Sequence, residues 1–354
     1  MSGDTTSSGV VPHTDAAARR LAARLSLGVG LLLIIAVVSI TIFVGSPPLA
    51  YQYVPLALSV VVLGLPHGAI DHLVLPRARG DPVTPRSLAF VGGLYLLVGT
   101  AYAAVWFLAP VVAFVLFILV TLVHWGQGDV YALLALVRAD HLETRASRLL
   151  ALVVRGGLPM LVPLVAFPAQ YAFVAETLVG LFDPDAAVAL EPAFSASVRA
   201  AVAIGFGSLV ALATGLGFVR TRGGDRGPWI VDTAETIGLV AYFAIVPPIL
   251  AIGLYFCFWH SLRHILRTML VDAVAGAALE RGAIGTASRR FARDAAPLTA
   301  GGLLVLVGIG LSVPRTPATV PDVLALYLVT IAVLTLPHVV IVTLLDREQR
   351  LWSP

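Results

Sequence analysis

PVVAFVLFILVTLVHWGQGDVYALLAL, residues 110–136, decides the class of this protein. The run is long enough to cross about 30 Å of hydrocarbon as an α-helix. It also carries His124, Gln127 and Asp129, groups a bilayer tolerates where they face the inside of a protein. Working outward, further apolar runs lie at about 26–46, 50–75, 88–108, 149–167, 196–219, 230–246, 248–270, 296–313 and 322–345. None alternates polar and apolar residues as a barrel strand does. The expectation is an all-α fold, a polytopic transmembrane helical bundle of about ten spans with a metal site in its core. The pair 230–246 and 248–270 is the doubtful one: the first is short, carries Asp232 and Glu235 and meets its neighbour at Pro247-Pro248. A single kinked helix there makes the count nine.

Composition agrees. The chain is 354 residues long, 58% hydrophobic and only 12% charged, with a mean hydropathy of +0.94, outside the balance a soluble domain keeps. It has no lysine, and its arginines are read as lying between spans, so the basic pI reflects topology and nucleic acid is not an expected partner. Arg19, Arg20 and Arg24 place the amino terminus in the cytoplasm, and Arg77, Arg79 and Arg86, then Arg138, Arg145 and Arg148, then Arg220, Arg222 and Arg226 follow spans two, four and six. The segment 168–195 is acidic and read as an outside loop. Arginines in 271–295 put that polar segment, read as a surface helix, inside, a parity that ten spans satisfy. Residues 1–25 are expected to be a disordered cytoplasmic tail without a cleavable leader, 26–346 a single catalytic membrane domain, and 347–354 a cytoplasmic tail. The single Cys257 rules out an intrachain disulfide and a cysteine-ligated cluster. Absence of lysine rules out a retinal Schiff base within this chain.

Eight histidines remain to be explained. His13 and His141 lie in the tail and an arginine-rich loop and read as solvated. The others sit in or beside apolar spans: His67 and His72 in GLPHGAIDHLVL, His124 in LVHWGQGD, His260 and His264 in FWHSLRH, and His338 in TLPHVVIV. One intramembrane histidine is readily explained as a link between helices. Six, converging on one depth from four helices, point to a buried metal. His260 and His264 share a helix face at i, i+4. His67 and His72, at i, i+5, are about 140° apart on a regular helix and do not share an ion without a break. Asp71 is placed to accept the ring N–H of His67, and Gln127 or Asp129 that of His124. Glycines 64, 68, 126 and 128 with Pro66 either bend these helices or let them pack closely. Trp106, Trp125, Tyr255, Phe256, Phe258 and Trp259 either line an apolar tunnel or face lipid. Imidazole donors suit iron, copper, zinc or nickel, and an all-histidine site buried in hydrocarbon suits oxygen activation on a lipid-soluble substrate.

The motifs HGAIDH, HWGQGD, WHSLRH and LPH, in this order over residues 50–345, resemble the Brp/Blh family of β-carotene 15,15′-dioxygenases. The resemblance implies central cleavage of β-carotene by O₂ into two all-trans-retinal molecules, with Fe²⁺ as cofactor and retinal passing to a separate opsin. By motif, the family's four iron ligands fall on His67, His124, His260 and His264. His72 and His338 are assigned to the surroundings of the ion or the substrate pocket, with Asp71, Gln127, Asp129, Trp125 and Trp259. A membrane desaturase or hydroxylase, a bis-histidine haem protein and a non-enzymatic carotenoid or retinal carrier are the alternatives, although the paired HxxHH boxes of a di-iron desaturase are missing.

Overall fold

A computed structural model describes residues 16–353. Among these no strand occurs, and nine helices are long and apolar enough to cross a membrane. In chain order the bundle comprises α1 (Ala16–Phe43), α2 (Leu49–Arg79), α3 (Pro85–Leu108), α4 (Pro110–Val137), α5 (Arg145–Ala166), α6 (Pro168–Gly180), α7 (Ala196–Arg220), α8 (Gly227–Ile245), α9 (Pro248–Val271), α10 (Ala273–Glu280), α11 (Ile284–Ser312) and α12 (Val320–Glu348). The protein is a multi-pass membrane bundle.

Sequence punctuation explains the boundaries. Helices α3, α4, α6 and α9 each begin on a proline, which has no N–H to leave unpaired in a first turn. Reciprocal side-chain caps, Thr84 with Ser87, Thr144 with Ser147 and Thr319 with Asp322, satisfy the exposed amides that start α3, α5 and α12. Helix α1 starts at Ala16, ten residues before the apolar run, with Ala18 and Ala22 buried against the bundle. His13 lies outside the described residues.

At Pro247-Pro248 the chain turns instead of kinking. Val246 and Pro247 are extended, and the Tyr242 hydroxyl donates to the carbonyl of Ala251 at 3.0 Å, nine residues on, a contact a continuous helix does not allow. Helix α8 is therefore a separate element. Long enough at 19 residues, it falls outside the nine because it is too polar, carrying Asp232 and Glu235, and it packs on α1 and α5.

One segment and several charged residues differ from expectation. The acidic stretch 168–195 holds α6, whose Ala175, Leu178 and Val179 are buried in the core, followed by a 3₁₀ segment at Ala186–Phe194. Nor do all arginines lie between spans: Arg155 on α5 and Arg263 and Arg267 on α9 are fully buried. Arg155 bonds Asp232 at 2.8 Å and Glu235 at 2.9 Å, and Arg263 bonds Glu235 at 2.6 Å and Asp129 at 2.9 Å. The acids that weaken α8 as a span thus close an ion-pair network joining α4, α5, α8 and α9. His141, read as solvated, is buried too and bonds Asp232 at 2.9 Å.

Candidate metal centre

Helix α2 breaks where the chemistry begins. Leu63 adopts φ +61°, a left-handed conformation costly for a branched side chain. A one-turn helix, Gly64–Gly68, then precedes a second break at Ala69-Ile70, and helix resumes at Asp71–Arg79. The chain bends here at Leu63, while Gly64 and Gly68 serve close packing, against Ser59 with Phe256 and against the His338 ring; the breaks let His67 point into the bundle while His72 is directed elsewhere. The His67 ring bonds the carbonyl of Gly64 through Nδ1. Its Nε2 is buried without a partner.

The glycines of α4 also serve close packing, in a helix that stays regular from Pro110 to Ala132. A Cβ on Gly126 would strike the Leu152 backbone of α5, so this glycine lets α4 and α5 pack closely. A Cβ on Gly128 would lie 3.4 Å from Nδ1 of His260, so this one leaves room for an imidazole. On α9, Phe256–Ser261 forms a π turn before regular helix resumes at Leu262, an irregularity frequent at functional sites. His260 lies within that turn, one residue before its end, and His264 follows on the regular helix.

Five imidazoles meet in the core. The His67 ring lies 5.9 Å from His124, 5.2 Å from His260, 5.5 Å from His264 and 5.2 Å from His338, between centroids. His124 and His260 bring their Nε2 atoms to 2.9 Å. The donor atoms form two adjoining trios, His67 with His124 and His260, and His264 with His338 and Asp71, each within 4.8 Å. Ring nitrogens of His67, His124 and His338 are buried and lack any hydrogen-bond partner. Buried imidazole nitrogens without a partner are costly unless something binds them, and a soft-to-borderline metal ion is the group that imidazoles bind best. The residues fit a metal.

The sequence model described as beta-carotene 15,15'-dioxygenase matches residues 58–346, which contain all five of these histidines. The chain belongs to that family. It is 44% identical over 345 residues to the probable beta-carotene 15,15'-dioxygenase Blh of Halobacterium salinarum, covering 94% of this chain and 96% of the relative. It is 32% identical to the probable beta-carotene 15,15'-dioxygenase Brp of the same organism, covering 86% of each. A beta-carotene 15,15'-dioxygenase of an uncultured marine bacterium is 25% identical over 58% of this chain and 65% of the relative. No solved structure matches the chain.

For this member of the dioxygenase family the surroundings of the histidines differ from the sequence expectation. Asp71 accepts the ring proton of His338 at 2.8 Å and the Tyr95 hydroxyl at 2.7 Å, both on Oδ2, and does not serve His67. The break at Ala69-Ile70 turns Asp71 away from His67, towards α12. His338 therefore stands beside the other four with its Nδ1 proton fixed and its Nε2 free, the carboxylate–histidine arrangement that prepares a metal ligand. Neither Gln127 nor Asp129 serves His124. Gln127 donates to Thr343 at 3.0 Å and Asp346 at 3.4 Å. Asp129, five residues on and so about 140° around a regular helix, accepts from Trp259 at 3.0 Å and from Arg263. Helix period alone could have ruled Asp129 out. His72 lines a cavity with Nδ1 buried and unpartnered.

Two apolar cavities reach the histidines. One, of about 140 Å³, is lined by His67, His124, Trp125 and Phe256 at its inner end and by Tyr53, Tyr171, Phe173 and Leu324 farther out. The other, of about 580 Å³, is lined by His67, Gly68, His72 and His338 within and by α3 and α11 at its sides. Trp125 and Phe256 line the smaller cavity and so answer to the first of the two roles open to these aromatics. Trp259 does not: it is buried, hydrogen-bonded to Asp129, with the Arg263 guanidinium 3.9 Å from its ring centroid. Trp106 packs on Phe182 in the core, and Phe258 is exposed. Tyr171, Phe173 and Val174 of α6 were missed by sequence reasoning, since an acidic segment masks the apolar face of the helix within it.

Proposed function

We propose that this protein cleaves β-carotene at its central 15,15′ double bond with O₂, giving two all-trans-retinal molecules. The observation that carries the reading is a cluster of five imidazoles with unpartnered nitrogens at the inner ends of two apolar cavities, in a chain belonging to this dioxygenase family. His67, His124, His260 and His264 would hold Fe²⁺, and His338, fixed by Asp71, is proposed as a further donor. Iron(II), when bound, supplies the one-electron chemistry through which ground-state O₂ reacts with a closed-shell polyene.

The chain's own residues do the rest. Trp125 and Phe256 present apolar faces beside His124 and His260, and the hydrocarbon lining keeps water from the reacting bond and from the aldehydes formed. Fixing a rigid rod lengthwise sets which double bond lies at the cluster, so position decides regiospecificity. Asp71 keeps the His338 proton on Nδ1 and its lone pair turned inward. Both termini would be cytoplasmic in the cell membrane if α8 crosses as a tenth span, a parity that the arginines beside the spans support. Its product would serve a separate opsin, since a chain without lysine cannot keep retinal as a Schiff base.

Expression in cells that accumulate β-carotene tests this. Retinal should form, fall on iron chelation, and be lost in His67→Ala and His264→Ala. Intact β-carotene in the presence of folded, iron-loaded protein would refute the reading.

A further inference from the structure

We infer that the polyene lies across both cavities with one half in each, and that the crevice between α3 and α11 is the seat of one ring, its capacity set by Gly301 and Gly92. The inference rests on the central-cleavage reading. Cleavage into two equal products requires room of matching character on both sides of the reacting bond. The two cavities supply it: they share His67, Phe256, Ile331 and Thr335 as lining residues and otherwise diverge, one towards α6 and the start of α9, the other between α3 and α11. The His67 ring lies against all four other imidazoles, as the His124 ring does, and of these two only His67 lines both cavities. The shared residues thus mark the place where the middle of a rod bridging both cavities meets the metal donors.

The crevice is built for a bulky apolar end. It is the broader of the two cavities, its floor is α12, and at its outer rim Leu96 and Leu298 are 68% and 38% exposed, so it opens towards the surrounding lipid. A Cβ added to Gly92 or Gly301 would meet nothing within 4 Å. Their missing side chains therefore leave the crevice wide and are not demanded by helix packing, which also means larger residues fit there without disturbing the fold. The cavity on the α6 side, at about 140 Å³, has less room to spare.

The test is Gly301→Trp, with Gly92→Trp as the second variant, assayed in membranes with β-carotene and with an apocarotenal that keeps one intact ring half and has the other shortened. Iron content is measured alongside. The ratio of kcat/KM for β-carotene to that for the apocarotenal should fall at least about tenfold, the size of effect a hydrophobic pocket exerts on a substrate's bulk, with iron content unchanged. A ratio within about twofold of wild type in both variants would overturn the half-site assignment, because a general loss of activity lowers both substrates together. Failure of the wild-type protein to convert either polyene would instead overturn the central-cleavage reading beneath it.

Discussion

Replacing Asp71 by asparagine preserves the shape of a buried side chain and removes its charge. The carboxylate is 1% exposed and one oxygen, Oδ2, accepts from both His338 Nδ1 and the Tyr95 hydroxyl. If the amide oxygen of the variant faces His338, the tautomer survives, but a charge-assisted bond becomes a neutral one, a loss of about 1 kcal/mol. If the amide nitrogen faces His338, it donates, Nδ1 must accept, and the ring proton moves to Nε2, the atom turned towards the cluster. Either outcome weakens the donor, and metal affinity should fall about 10- to 100-fold. Tyr95→Phe removes one of the two donors to Oδ2 and leaves the charge, so its effect should be smaller. The assay is competition for Fe²⁺ between purified protein and a chelator of known affinity, with bound metal measured by elemental analysis. A change of less than about threefold in Asp71→Asn would refute the claim that this carboxylate prepares a metal ligand.

Two further outcomes follow from the charged groups. Arg263→Met leaves Asp129 and Glu235 with Arg155 as their remaining guanidinium. Loss of one member of a buried ion pair costs about 3–5 kcal/mol, so the thermal midpoint in detergent should drop sharply, and adding Glu235→Gln should recover part of it; no recovery would mean the network is not the cause. Asp272, at the end of α9, is pushed up by burial, but the paired bonds from Arg290 and the N–H of Ala275 outweigh this and hold its carboxyl below the usual carboxylate range. A depressed carboxylate stabilises the fold above its unfolded pKa and loses that contribution as pH falls through the folded value. Asp272→Asn should therefore lower the thermal midpoint at pH 7, and the gap to wild type should close below about pH 4; a gap independent of pH would contradict the sign.

The helical class and the histidine cluster were legible because both are written in short-range patterns. Apolar length gives spans, and His260 with His264 at one-turn spacing, added to histidines on three other spans, gives convergence. Partner choice was less legible, because it depends on where a chain breaks. The kink at Leu63 and the break at Ala69-Ile70 decide that Asp71 faces His338 and not His67, and no periodicity in GLPHGAIDH predicts the angle. Arg155, Arg263 and Arg267 were hidden by a statistical rule: arginine marks cytoplasmic loops on average, whereas these three find carboxylates on other helices. His141 was misjudged for the same reason, since its partner Asp232 is distant in sequence. The chain does turn at Pro247-Pro248, but the ten spans argued from charge parity are nine by length and apolarity among the described residues, because the helix before the turn is too polar to be counted.

The π turn at Phe256–Ser261 holds one residue more than regular helix needs for the same rise. Deleting one residue there would let the turn relax to regular helix, leaving the helix on either side in phase and re-aiming only the side chains inside the turn. Phe256 would leave the junction of the cavities and Trp259 would leave Asp129. Phe256, Trp259 and His260 are thus aimed by the extra residue itself, so the length of that stretch is as much a part of the metal centre as the identity of its side chains.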